Sequence, residues 1–280
     1  MQTYRYVICD VFTEQKLKGN PLAVFTDARG MSDERQQAFA RELNLSETTF
    51  VFPAEKGGHA KVRIFTPRTE LPFAGHPVLG TALVLANGIE VEVIQLELKH
   101  GPIPVRILRE GPRAMFGWML QPVPTWAPYA ESGELLKVLG LTQSELPVEL
   151  YDNGAQHLLV HVASSELVAR LTPNLHELER LTQATVSVFS ITDLSAKTRV
   201  FAPASGVPED PATGSAAGPL AVHLARYGKW PFGDVLRIEQ GAEIQRSSEL
   251  FAKVSGQGQR IEQVEVGGGV QIVARGEFRV

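Results

Sequence analysis

A chain of 280 residues with 44% hydrophobic and 21% charged residues has ordinary globular composition, long enough for two domains of usual size with sizeable cores. A net charge of −4 without any run of lysines or arginines points away from nucleic acid and from an anionic membrane surface. The single cysteine, Cys9, excludes an internal disulfide and any multi-thiolate metal site.

The N-terminus lacks the layout of a signal peptide, and no segment approaches the ~18 apolar residues of a membrane-spanning helix. The expectation is a soluble, cytoplasmic protein with no membrane partner.

In chain order, residues 4–11 and 22–25 read as strands around a turn at Gly19-Asn20-Pro21. Ser32 opens a helix with Asp33 and Glu34 in its first turn and Phe39, Ala40 and Leu43 on its apolar face. Strands follow at 48–52 and 62–66. The next helix, Pro77 to Ala86, is stopped by Asn87-Gly88 and is apolar on almost every face, which marks it as buried. Strands at 91–98, 103–109 and 114–119 lead to Gln121-Pro122-Val123-Pro124-Thr125, read as an extended linker and domain boundary. The expected domains are 1–120 and 127–268, with the last strand, near 270–280, able to return to the first.

The second half opens with a helix at 131–139, strands near 147–152 and 157–163, helical segments near 165–171 and 174–183, and strands at 185–191 and 197–202. A second buried helix ends at Gly228. The glycines at 256, 258 and 267–269 read as hairpin turns. His157 and His161, two alternations apart on a strand, read as packing residues rather than metal ligands.

One motif occurs twice. Arg63-Ile64-Phe65-Thr66-Pro67 leads to Glu70-Leu71-Pro72-Phe73-Ala74-Gly75-His76, and Arg199-Val200-Phe201-Ala202-Pro203 leads to Glu209-Asp210-Pro211-Ala212-Thr213-Gly214-Ser215. Gly75 and Gly214 lie 139 positions apart, a period that fits a duplicated domain. Each copy precedes a buried helix. The expected fold is therefore α+β, with two similar halves that each wrap strands around a central helix. A helix N-terminus offers unpaired N–H groups and partial positive charge, and glycine lets a ligand approach, so the two openings form a site for a small anion if the halves face one another.

Three side chains could add acid–base chemistry. His76 and Asp210 occupy positions where the copies differ, answering to Ser215 and Leu71. They could equally cap a helix and fix a turn. Glu47, flanked by Leu45 and Phe50, would have a raised pKa if buried, as a carbon-acid base requires, or could be a solvated residue at a strand edge. No phosphate-binding loop, zinc-protease helix or dinucleotide fingerprint is present.

The chain resembles the phenazine-biosynthesis isomerase, or PhzF-like, family. The resemblance is carried by Gly19-Asn20-Pro21-Leu22-Ala23-Val24-Phe25, Asn44-Leu45-Ser46-Glu47-Thr48, Leu71-Pro72-Phe73-Ala74-Gly75-His76-Pro77, and Glu209-Asp210-Pro211-Ala212-Thr213-Gly214-Ser215-Ala216-Ala217-Gly218-Pro219-Leu220. It implies two pseudo-symmetric domains of diaminopimelate-epimerase-like fold, a cofactor-free site between them, and a homodimer. It implies an isomerase that converts trans-2,3-dihydro-3-hydroxyanthranilate to an aminoketone, or a relative working on another small carboxylate. A non-catalytic metabolite-binding protein of this fold is the remaining alternative.

By the same resemblance Glu47 would move the proton from C3 to C1, His76 and Asp210 would assist, and Ser46, Gly75, Gly214 and Ser215 would bind substrate. Related racemases use one cysteine at each helix opening. Neither opening carries one here, which excludes a two-thiol racemase. The stretch Asn153-Gly154-Ala155-Gln156-His157 also lacks the arginine expected before the histidine in close phenazine-pathway relatives.

Overall fold

The computed structural model describes residues 2–280 and divides into two compact units. The first runs to Leu120 and takes in Gly267–Val280; the second comprises Gln121–Val266.

In the first unit β1 (Thr3–Val11) pairs antiparallel with β2 (Asn20–Phe25). After α1 (Asp33–Leu43) the chain returns as β3 (Glu47–Phe52), parallel to β2. Next, β4 (Ala60–Phe65) lies antiparallel to β3 and to the two-residue β5 (Glu70–Leu71). Helix α2 (Gly75–Ala86) follows, then β6 (Val93–Glu97), parallel to β4, and the antiparallel run β7 (Pro102–Glu110) and β8 (Arg113–Gln121).

The second unit begins with β9 (Thr125–Pro128), α3 (Ser132–Val138) and β10 (Glu149–Asp152), with β9 and β10 antiparallel. Strand β11 (Gln156–His161) is antiparallel to β10; α4 (Ser165–Arg170) and α5 (Leu175–Leu181) then lead to β12 (Thr185–Ile191), parallel to β11. Antiparallel to β12 comes β13 (Ala196–Ala202), which also pairs with β14 (Val207–Asp210). Helix α6 (Gly214–Arg226) precedes β15 (Val235–Gln240), parallel to β13, and β16 (Ser248–Gln257), antiparallel to β15. The final strand, β17 (Arg260–Arg279), pairs antiparallel with β1 over Val270 to Arg279.

Strand pairings from β10 to β16 thus repeat those from β1 to β7, senses included. The duplicated motif is a duplicated topology. In both units the central helix is enclosed: α2 buries Gly75 to Leu83 and Ala86, and α6 buries every residue from Gly214 to Ala225. Each Leu or Val so enclosed contributes about 1.5–3 kcal/mol. Gly80 on α2 admits this packing, because a Cβ there would come within 2.6 Å of Leu22 and 2.7 Å of Val11. Cys9, fully buried on β1, is 3.4 Å from the same point, and burial pushes its thiol pKa up.

In the first unit α1 ends at Asn44, whose left-handed φ of 50° stops the helix and turns the chain into β3. Phe39 of α1 packs against Tyr4, Phe25 and Phe278, with the Phe25 and Phe50 rings 4.8 Å apart.

One expectation needs correction. Gly267, Gly268 and Gly269 are not a hairpin turn but lie inside β17. A Cβ would meet Trp118 at 2.8 Å, Phe12 at 2.3 Å and Thr13 O at 2.8 Å respectively, so these glycines serve close approach rather than chain reversal. Residues 122–124 form the connection between β8, which ends at Gln121, and β9, which opens at Thr125.

The repeated arginine and glutamate brace each unit. Arg63 Nε and Nη2 donate to Glu70 at 2.7 and 2.9 Å, while Arg199 Nε and Nη2 donate to Glu209 at 2.9 and 2.7 Å. Each guanidinium also lies over the phenylalanine two residues on, 5.1 Å from Phe65 and 5.2 Å from Phe201. A planar fork suits both contacts. The pair ties the inner strand to the short strand that delivers the chain to its central helix.

Arg199 is the more deeply placed, its side chain 10% exposed against 21% for Arg63. It also donates to Leu171 O at 2.7 Å. Arg199→Met should therefore cost about 3 kcal/mol in urea unfolding, by leaving the half-buried Glu209 without this partner and Leu171 O without its donor, and Arg63→Met clearly less. Equal losses would show that depth does not set the cost.

Candidate active site

Both central helices begin without a side-chain cap. The residue before α2 is Ala74 and that before α6 is Thr213, and neither side chain bonds into the first turn. The leading N–H groups of a helix have no acceptor within it, so these buried openings attract an anion.

At the first opening His76 is the second residue of α2 and 3% exposed. Glu47, the first residue of β3, is held opposite Leu22 of β2. Its Oε2 lies 3.4 Å from His76 Nε2. On the far side of the ring, Asn20 Nδ2 lies 3.2 Å from His76 Nδ1. An amide nitrogen only donates, so Nδ1 accepts, and the neutral ring carries its proton on Nε2. Burial lowers the His76 pKa to about 3, so the ring is neutral near pH 7. Ser46 and Gly75 adjoin these two groups in the chain, Ser46 half-buried and Gly75 buried.

At the second opening Asp210 ends β14, 8% exposed, and accepts from Thr213 Oγ1 at 2.6 Å. Gln240 of β15 braces this turn. Its Nε2 donates to Asp210 O at 2.7 Å and to Thr213 Oγ1 at 3.0 Å, and its Oε1 accepts from Thr213 N at 3.0 Å. Gly214 and Ser215 follow at once as the first two residues of α6.

The structure therefore places Glu47 beside His76 within the first unit, and Asp210 beside Gly214 and Ser215 within the second. The capping role open to His76 is not the one it takes, since it lies inside the helix. Sequence reasoning passed over Asn20 and Gln240. Asn20 sits in the Gly19-Asn20-Pro21 turn, where asparagine looks like ordinary turn chemistry, and Gln240 lies in no recognisable pattern. His157 is buried and neutral, its pKa lowered to about 4 by burial; His161 stacks on Phe189 at 4.9 Å. Gln156, where an arginine was expected, is exposed and donates to Asp152 at 3.2 Å.

The comparisons with known proteins agree with one another. Over 273 residues, spanning 98% of both chains, this protein is 44% identical to the trans-2,3-dihydro-3-hydroxyanthranilate isomerase of Pseudomonas aeruginosa. A predicted epimerase from Pseudomonas aeruginosa superposes with a TM-score of 0.85 at 33% identity, with 99% of each chain covered. A PhzF-family phenazine biosynthesis protein from Bacillus anthracis, 24% identical with 100% of each chain covered, shares the fold with a TM-score of 0.88. No helix among the described residues is long and apolar enough to cross a membrane. The family model for phenazine biosynthesis-like proteins matches residues 9–276, and the chain belongs to that family, PhzC-PhzF.

Proposed function

We propose that this protein isomerises trans-2,3-dihydro-3-hydroxyanthranilate by moving one proton, with Glu47 as the group that carries it. The observation that supports this most is the Glu47 carboxylate set 3.4 Å from a buried, neutral His76 at an uncapped helix opening.

The substrate keeps ring double bonds at C4–C5 and C6–C1. Loss of the C3 proton to Glu47 lets the electron pair shift along them. The double bonds become C3–C4 and C5–C6, and Glu47, now a carboxylic acid, returns the proton to C1. The product is an enol at C3, which becomes the ketone by taking a proton at carbon and losing one from oxygen. No redox partner is needed. His76 can donate from Nε2 to the carboxylate or to a substrate oxygen, and Asp210, oriented by Thr213, would hold the amino group or assist proton delivery. Ser46, Gly75, Gly214 and Ser215 would bind the polar groups, the carboxylate favouring a helix N-terminus. The same family reading extends to a homodimer in the cytoplasm, with the dimer checked by light scattering.

The test is NMR of the protein with this substrate in D₂O, which should show loss of substrate signals and deuterium at C1. Glu47→Gln should lower kcat by about 10³ or more while leaving binding within a few-fold. Wild-type turnover in the Glu47→Gln variant removes Glu47 from the mechanism. Binding without turnover in the wild type would move the activity to another small carboxylate.

The state of His76 has its own check. Nitrogen NMR should show the neutral Nε2–H form down to about pH 5, and a midpoint near 6.5 would contradict it. The folded-state pKa lies below the ~6.5 of an unfolded histidine, so the unfolded chain binds the proton first. This residue's contribution to stability is complete above about pH 6.5 and is lost as pH falls toward 3.

A further inference from the structure

The two central helices differ in where their prolines fall. In α2 the proline is Pro77, third in the helix, where the missing N–H would have had no acceptor within the helix. In α6 it is Pro219, the sixth residue. There the ring removes the hydrogen bond that Ser215 O would receive from four residues on, and crowds that carbonyl. The carbonyl left over lies in the first turn, at Ser215, one of the two α6 residues proposed to bind substrate.

Two buried carboxamides occupy that gap. Asn153 Nδ2, from the turn between β10 and β11, donates to Ser215 O at 2.9 Å. Gln121 Nε2, from the end of β8, donates to Gly214 O at 2.8 Å, and its Oε1 accepts from Asn153 Nδ2 at 3.3 Å. Asn153 and Gln121 are 2% and 3% exposed. Gly218 makes room for them, because a Cβ there would lie 2.2 Å from Gln121 Oε1. Asn153 is itself held, its Oδ1 accepting from Ala155 N at 3.4 Å and its own N–H donating to Ala155 O at 3.3 Å. A buried carbonyl without a donor costs more than an ordinary hydrogen bond contributes, so the Asn153 contact to Ser215 O matters at this position and would be redundant in a helix without the proline, while Gln121 holds Asn153 and the neighbouring Gly214 O.

We propose that Asn153, with Gln121, is a positioning residue for the reaction: it replaces the hydrogen bond Pro219 cannot make and so holds the Gly214–Ser215 backbone in the geometry that receives substrate. The proposal rests on the reading that these two residues bind substrate. It explains why glutamine, asparagine, glycine and proline occur together here as one device. The first turn still closes through Ala216 N and Ala217 N on Thr213 O, but proline leaves Ser215 O without its helical donor, and the β10–β11 turn supplies one from Asn153.

The test is a cycle of Asn153→Ala, Pro219→Ala and the double variant, because Pro219→Ala restores the missing backbone N–H. Asn153→Ala should raise KM about tenfold with kcat within about threefold, the size expected for one buried hydrogen bond. Pro219→Ala should stay near wild type, and the double variant should return KM to within about threefold of it. A wild-type KM in Asn153→Ala, or a double variant no better than the single, overturns the proposal.

Amide hydrogen exchange in the first two turns of α6 gives a readout independent of substrate. It should be about tenfold faster in Asn153→Ala and recover in the double variant; unchanged exchange overturns the proposal. If the wild type does not turn over the dihydroanthranilate, the functional reading falls and the exchange cycle alone decides. Should Asn153→Ala fail to fold, a folded double variant supports the proposal and an unfolded one sinks it.

Discussion

Neither α2 nor α6 offers water a face along its buried turns, and most of the architecture follows from that constraint. A helix apolar on one stripe can rest on a sheet, but a helix apolar all round must be enclosed. Each unit meets this requirement with the same succession of parallel and antiparallel pairings, from β1 to β7 and from β10 to β16. Enclosure also buries the helix N-terminus, where the leading N–H groups have no acceptor of their own. The anion-seeking openings are thus a consequence of the packing that makes the fold stable.

What the two copies share and where they part follow from that geometry. The Arg–Glu pair is retained in both because each unit needs its short strand tied to the inner strand just before the helix. Past that brace the copies diverge. One opening holds a buried neutral imidazole near a carboxylate; the other holds a carboxylate whose turn is fixed by Thr213 and Gln240. These side chains differ while the succession of strands around each helix stays the same. Pro219 leaves Ser215 O without its helical donor, and Asn153 stands where that loss falls.

Much of this was legible in the residues. Ser32 with Asp33 and Glu34 marked the start of α1, because capping is local chemistry. The buried helices were legible because their composition leaves no polar face. Gly267-Gly268-Gly269 misled for a definite reason: glycine serves both chain reversal and close approach, and only the rings of Trp118 and Phe12 distinguish the two. Asn20 was read as turn chemistry because its partner, His76, lies 56 residues away. The alternatives left open for Glu47 could not be resolved along the chain either, since its exposure depends on β2 and α2 rather than on its sequence neighbours.

The sequence by itself determined the duplication, the two enclosed helices, the family and the residue types at each opening, since these rest on periodicity, composition and short motifs within a few residues of one another. Tertiary structure alone decided which atoms meet: the tautomer of His76, the brace on Asp210, the return of β17 to β1, and the donor that answers the carbonyl left by Pro219. Those facts depend on hydrogen bonds between residues tens to hundreds of positions apart, and a bond of about 3 Å is set by where the strands carry its ends.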